Sequence, residues 1–590
     1  MRLRNISLLA GVCAHCLALG AAWAGTETQV RGVEEPAPAP PMAHSCRSPE
    51  VGDDNEPARR RPGETSLPAS PASECNTDRL PVIAPGALPA PLAVPDRWRL
   101  VEGLGYRVDW LDAYHGNNLL KGDRPAFGHD GFVSLGAVAA TLIEARHIPT
   151  NATGIADAQG ARGATRDELF YNQSLSVDAV IYRGDTSFRP PDWQWRLTAV
   201  LSQSGTRADA QTSSAGTAAI QALWYEQHLR NASANYDFDS VRVGIQPLSS
   251  DFRGFLLSDQ PLALRLFGTR RNNVLQYNLA YVRRVQKNRV RLNDITAPLP
   301  RNDVLLANLY WQDFPRAGVT SEFVAAYSSS REPGPRLLPG ASLPGTAAAL
   351  AAHDYDVGYL GYGFDGHFGR LNATTMIYGL SGHEHQSPFT GSATRVRAWF
   401  AASEWSVDTD RRRWRLSVLH SSGDRDPQDG RANGFDNLNA SPVFAGTDSS
   451  YYVHQRLALA GGVFDLKSRD ALLPSLRSVA DGGQADFSNP GVNLAGLGLD
   501  FDASLRWRWS FDANQLWFDQ PAGLAALMQR PAVDRRLGAE LAVNSFWRPF
   551  ANQNLIVRLS GSMLVRGPGY RELYDGGNPY STFAQLVFSY

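Results

Sequence analysis

Ser581-Thr-Phe-Ala-Gln-Leu-Val-Phe-Ser-Tyr590 closes the chain, and its reading decides the fold. Ala584, Leu586, Phe588 and Tyr590 share one face at period two. Such alternation marks a half-buried strand, and this stretch alone leaves soluble sheets and membrane barrels both open.

Composition narrows the choice. A chain of 590 residues has room for several soluble domains or one very large barrel. Its net charge of −1, with 19% charged residues, excludes a broad nucleic-acid footprint. Ten per cent aromatics and 53 Gly suit a sheet with many turns. Past the first 25 residues there is no apolar run of about 18, so helical membrane spans are not expected. Barrel strands keep mean hydropathy low, because only alternate residues face lipid.

Residues 1–24 read as a secretory signal. Arg2 and Arg4 precede the mostly apolar Ile6 to Leu19, and Ala22-Trp23-Ala24 is an A-x-A cleavage site. Cys13 and Cys16 form a C-x-x-C inside that signal, with Leu17 where haem attachment needs His. Cys46 and Cys75 remain, either as a disulfide formed in an oxidising compartment or as two isolated thiols. Residues 25–97 hold Glu35-Pro-Ala-Pro-Ala-Pro-Pro41, Arg59-Arg-Arg-Pro62 and repeated Pro up to Pro95, a composition expected to form a disordered spacer. Residues 98–130, of mixed polarity, are expected to be a pre-barrel or plug segment.

From 131 to 590, short alternating runs recur. Leu169, Tyr171, Leu175, Val177 and Ile181 alternate with polar residues, as do Trp193, Trp195, Leu197 and Leu201. Leu505, Trp507, Trp509 and Phe511, then Leu555, Val557, Leu559 and Met563, repeat the pattern near the other end. Strands are expected at 131–147, 168–183, 192–203, 218–233, 238–246, 261–268, 272–286, 303–313 and 318–330. The series continues at 353–364, 367–381, 392–407, 412–421, 491–502, 505–518, 536–548, 552–565 and 580–590. Ala218-Ala-Ile-Gln-Ala-Leu-Trp-Tyr225 also fits a helix. Connections alternate long and tight, as in a barrel with long outer loops and short periplasmic turns. Tyr451 to Val463 could be another strand, but the rhythm holds only if 422–490 is one large outer excursion. The expectation is an all-β transmembrane antiparallel barrel of about 18 strands, both ends in the periplasm, preceded by the Pro-rich segment.

A family resemblance rests on Val241-Arg-Val-Gly-Ile-Gln246, Ser250-Asp-Phe-Arg-Gly-Phe255, Leu264-Arg-Leu-Phe-Gly268, Gly434-Phe-Asp436 and Phe444-Ala-Gly-Thr-Asp448. With the closing strand, these look like large proteobacterial outer-membrane porin-like barrels. The layout is also similar to alginate-export barrels, although Ile245 stands where that pattern favours a second Arg. The resemblance implies location in the outer membrane of a Gram-negative bacterium. The terminal aromatic resembles the signal read by the barrel-assembly machinery, here Leu586, Phe588 and Tyr590. No catalytic residues come with it.

If apolar faces meet lipid, Arg196, Arg242, Arg265, Arg395, Arg397, Arg413, Arg415, Arg506, Arg508 and Arg558 line the lumen. Rings of Arg attract anions. Asp178, Glu540 and Asp512 fall on the same side, so a self-neutralising bracing network is the competing reading. Tyr310 and Trp399 are candidate sugar-stacking surfaces or girdle residues. Asp424, Asp426 and Asp429 form a weak Ca²⁺ candidate against the alternative of a solvated acidic loop. His383-Glu-His385 lacks further metal ligands.

No G-x-S-x-G, P-loop or H-E-x-x-H occurs, and no G-x-G-x-x-G follows a strand in an α/β setting, so an outer-membrane hydrolase is the weakest reading. The leading one is an outer-membrane channel for small or anionic solutes, saccharides included, with no cofactor. The second is a barrel scaffold or sheath for a periplasmic or surface partner such as a cytochrome, held through the Pro-rich segment. Outer-membrane lipid is an expected partner; nucleic acid is not.

Overall fold

The computed structural model describes residues 103–105 and 118–590, save 151–163, 185–189, 209–210, 234–236, 289–291, 332–353, 386, 388, 391, 439–441, 447–486, 528–529 and 551. The signal, the Pro-rich spacer, Cys46, Cys75 and the stretch Tyr451 to Val463 lie outside the described residues.

Eighteen long strands form the wall. They begin with β1 (Gly131–Thr150), β2 (Ala164–Arg183), β3 (Trp193–Ala208), β4 (Gln211–Asn231), β5 (Phe238–Ile245) and β6 (Leu262–Arg270). Next come β7 (Leu275–Arg283), β8 (Asn302–Trp311), β9 (Val319–Ser330), β10 (Tyr355–Phe368), β11 (Leu371–Glu384) and β12 (Thr394–Thr409). The last are β13 (Arg412–Ser421), β14 (Val492–Ser504), β15 (Trp507–Phe518), β16 (Arg536–Trp547), β17 (Leu555–Arg566) and β18 (Tyr580–Ser589). Each pairs antiparallel with its neighbour in sequence. The barrel closes where β18 pairs with β1, from Val138 opposite Ser589 to His147 opposite Tyr580. Closure leaves no unpaired edge, which is what hydrocarbon demands of a sheet.

Alternation positions the side chains. Leu197, Leu201, Leu264, Leu305, Leu360, Leu416, Leu497 and Leu559 stand exposed on the outer face. Trp195, Trp405, Trp414, Trp507 and Trp547 lie near the periplasmic strand ends, where amphipathic rings suit the membrane interface. Glu144, Glu226, Glu322, Glu404, Asp512 and Glu540 are buried on the opposite face. A closed barrel, apolar outside and polar within, is an outer-membrane protein of a Gram-negative bacterium.

Short periplasmic turns at 369–370, 410–411 and 505–506 match the expected rhythm. One expected outer loop does not exist as such. The ladder of β3 and β4 continues to Ala208 opposite Gln211, so the gap foreseen at 204–217 is a hairpin. Thr212 to Gly216 are exposed on both faces there, which erased the alternation. The helical alternative for 218–225 is strand, with a bulge where Thr198 faces Ala222 and Ala199 faces Ile220.

Tyr590 extends the seam. Its N–H donates to Ala137 O at 2.8 Å, and its carbonyl accepts from Ala137 N at 3.0 Å. Below it, residues 118–130 run along the foot of β1. Lys121 bridges to Ser134 and Phe127 to Gly131, while Lys121 Nζ sits 3.7 Å from the Tyr590 ring centre.

Candidate functional site

The connection between β5 and β6 turns into the barrel. Gly244 has φ +127°, and a Cβ there would stand 2.2 Å from Leu223 O, so only glycine fits. Buried Gln246 then donates from Nε2 to Ala263 O at 2.9 Å. Arg242, earlier in the same motif, pairs with Glu226 at 2.8 Å and stacks on Trp224. The Val-Arg-Val-Gly-Ile-Gln motif thus sets where the chain leaves the wall.

Asp251 organises the segment that enters the lumen. Its carboxylate accepts from the N–H groups of Arg253, Phe255 and Leu256 at 3.1, 2.9 and 3.0 Å. It also accepts from the hydroxyls of Ser250 (3.1 Å) and Tyr378 on β11 (2.9 Å). One acid thereby satisfies backbone donors that burial would otherwise orphan. Phe252 N–H donates to Glu322 on β9 at 3.2 Å, and Asn308 on β8 holds Ser250 O. Arg253 reaches Thr374 at 3.0 Å and Glu404 on β12 at 3.1 Å.

Part of the large excursion after β13 folds inward to meet this segment. Leu438 N–H donates to Leu256 O at 3.0 Å, and Val443 N–H to Arg253 O at 3.3 Å. Tyr359 on β10 donates to Asp436 O at 2.9 Å. Ala445 N–H donates to Glu404 at 3.1 Å, and Asn514 on β15 holds Ala445 O at 2.8 Å. Glu404 therefore receives both segments. Between them lies an aromatic cluster. Phe255 stands 5.0 Å from Phe400 and 5.3 Å from Phe444, and Phe435 stacks 5.2 Å from Phe400. Such pairs each add about 0.5–1.5 kcal/mol beyond their buried area. The lumen is thus narrowed from one side by two segments packed on each other and on the wall.

The arginines expected to line the lumen divide. Arg196 pairs with Asp178 at 2.8 Å, and Arg415 lies between Asp500 (3.1 Å) and Asp512 (2.7 Å). At the periplasmic end Arg413 pairs with Asp408 and Arg508 with Asp502, each at 2.6 Å. Buried Glu540 accepts from Asn514 at 2.8 Å. These groups brace one another, as the competing reading held. Arg558 stacks on Phe546 at 5.4 Å. Arg265 differs: Asn278 holds it at 2.5 Å, its guanidinium lies 4.5 Å from the Phe267 ring, and it makes no ion pair among the described residues.

Three placements need correction. On β12, Thr394, Val396, Ala398, Phe400 and Glu404 are buried, so Arg395, Arg397 and Trp399 face outward. From Val396 to Ala402 the inner face of β12 is apolar, part of the cluster that the inward segments share, which inverts the polarity rule there. An outward Arg near a strand end costs only about 0–1 kcal/mol, against ~2–4 at the bilayer midplane. Arg506 sits in the periplasmic turn, its guanidinium on Pro549 O at 3.2 Å.

The weak calcium candidate, Asp424, Asp426 and Asp429, lies in the loop after β13. Asp426 and Asp429 accept from the N–H groups of Gln428 and Arg431 at 3.0 and 2.8 Å, and no metal-holding cluster forms among the described residues. His385 pairs with Asp356 at 2.9 Å. Burial pushes the Asp424 carboxyl up to about 7, with Asp429, Asp426 and Glu384 adding to the rise against the Asn433 N–H.

Sequence reading missed Asp251, Glu322, Glu404 and Tyr378 as organisers of the constriction. A signal existed: Phe252, Phe255, Leu256 and Leu257 make an apolar cluster in a connection that a purely solvated loop does not need.

No family model matches the chain, and no curated protein matches it. Among solved structures it is similar to OccK2 (OpdF) of Pseudomonas aeruginosa, at 12% identity and TM-score 0.43, covering 78% of this chain and 97% of that one. OccAB2 of Acinetobacter baumannii gives 10% identity and TM-score 0.43, with 78% and 98% covered. The outer membrane protein OpdK of Pseudomonas aeruginosa gives 9% and 0.39, with 78% and 98% covered. These matches do not extend the resemblance to alginate-export barrels.

Proposed function

We propose that this barrel is an outer-membrane channel that passes small anionic solutes, carboxylates or acidic saccharides, past the constriction made by the two inward segments. The observation that carries the reading is Arg265. Most other inward arginines of the sequence reading meet a carboxylate, whereas Arg265 is oriented by neutral Asn278 beside Arg242. Glu226 nearby is already engaged by Arg242, so Arg265 is a fixed cation with no direct ion pair among the described residues, and such a group attracts anions and passes them on without trapping them.

Planar-bilayer recording of the purified, refolded chain under a KCl gradient tests this. The expected reversal potential shows anion preference, and Arg265→Ala moves it toward zero while leaving the barrel folded. Absence of conductance even after removal of 249–258 and of the 422–490 excursion overturns the channel reading. A conducting barrel whose selectivity ignores Arg265 overturns the anion reading.

A further inference from the structure

A trough of about 1690 Å³ crosses the lipid-facing side of the wall, from Leu229 and Leu266 on β4 and β6 to Trp399 and His420 on β12 and β13. Its floor is made of small residues. Ala307 faces Ala325 across β8 and β9, Gly358 faces Ser381 across β10 and β11, and Gly379 lies between Leu360 and Trp399. Leu305, Tyr327 and Leu360 stand exposed along its length.

The trough ends among arginines at the outer side of the membrane. Arg397 and Arg425 line it, and Ser381 faces Arg397 in register. Arg395 is the parallel register partner of Arg431, so those two share a face beside it. All four are exposed, and none makes an ion pair among the described residues. The nearby acids are engaged elsewhere. Asp426 and Asp429 accept from their own loop's backbone, and Asp519 accepts from Gly423 N–H at 2.9 Å and Arg535 at 3.4 Å. Asp424 is buried.

We propose that this trough binds one anionic acyl lipid of the outer leaflet, whose phosphate is not neutralised by a headgroup cation. Its chain lies over Ala325, Gly358 and Gly379, and its phosphate sits among Arg395, Arg397, Arg425 and Arg431. The two halves of the site match the two halves of such a molecule: an apolar channel at hydrocarbon depth leads to unpaired guanidinium groups at headgroup depth. A second copy of the chain would bring the same arginines to the same depth, with no acidic set to receive them.

The test uses the full chain in detergent micelles, read by native mass spectrometry and by the shift in unfolding midpoint. Dioleoyl phosphatidic acid is the probe, with dioleoyl phosphatidylcholine and inorganic phosphate as controls. The expected result is a one-to-one phosphatidic acid adduct that raises the midpoint, with neither control doing so. In R397Q/R425Q the apparent affinity falls about tenfold, as expected for lost charge-assisted bonds. Gly379→Leu, where a Cβ meets open space, fills the trough with the fold intact and displaces the lipid. Equal adducts in wild type and both variants, equal protection by phosphatidylcholine, or a two-chain species that excludes lipid would each overturn the proposal.

Discussion

The hydroxyl of Tyr378, on the barrel wall, donates to the carboxylate of Asp251, in an inward segment, at 2.9 Å, and both residues are buried. That bond is one of five that Asp251 accepts. Asp251→Ala leaves three backbone N–H groups without their acceptor and should cost ~2–5 kcal/mol, whereas Tyr378→Phe should cost about 1 kcal/mol. Circular dichroism melts in detergent check the order. Single-channel conductance should rise for Asp251→Ala and stay near wild type for Tyr378→Phe; equal effects would contradict the capping role.

Arg415 stands between Asp500 and Asp512, and Asp512 is buried. Removing the cation leaves two carboxylates facing each other inside the wall. Arg415→Ala should therefore destabilise the barrel by ~3–5 kcal/mol, and Arg415→Lys by less. Denaturant titration in micelles measures it; an unchanged midpoint for Arg415→Ala counts against the ion-pair account.

Asp424 gives the excursion after β13 a pH dependence. Its carboxyl, at about 7 when folded, lies above its ordinary 3.8. The folded loop thus holds a proton that the released loop gives up. Its seating is firmest at low pH, weakens as pH rises from about 4 to about 7, and stays weak above that window. Current noise from loop release should be smaller at about pH 5 than at about pH 8, and Asp424→Asn should remove the difference. Noise that grows on acidification would reverse the assigned sign.

Tyr590 joins the seam through two bonds with Ala137, and its ring lies against Lys121. Its hydroxyl contact with Asn118 is long, at 3.4 Å. Deleting Tyr590 should lower the amount of folded barrel in the outer membrane severalfold without altering ion selectivity. Tyr590→Phe should assemble normally. Heat-modifiable gel migration of membrane fractions distinguishes them, and full assembly of the truncated chain would refute the seam's role.

Strand order, strand number and the β1–β18 closure were legible because a single rule governs them: outer residues must be apolar at period two. That rule says nothing of what fills the inside. It misread Arg395 and Arg397 because Val396, Ala398 and Phe400 are apolar for a different reason: they join Phe255 and Phe435 in one buried apolar cluster. It missed the length of the β3–β4 hairpin because residues above the membrane have no lipid to sort them. The constriction depends on contacts between positions more than a hundred residues apart, such as Asp251 with Tyr378, which no local pattern records.

Among the described residues, the buried apolar cluster draws its wall residues from β6 to β17 and takes none from β1 to β5 or β18. One side of the cylinder is therefore built like the interior of a globular protein, where a misfitting side chain is felt by many neighbours at once. The other side carries polar cross-strand pairs such as Asn172 with Ser202 and Ser581 with Glu144. Changes of polarity, charge or size can accumulate on that side one pair at a time while the packed side keeps the shape.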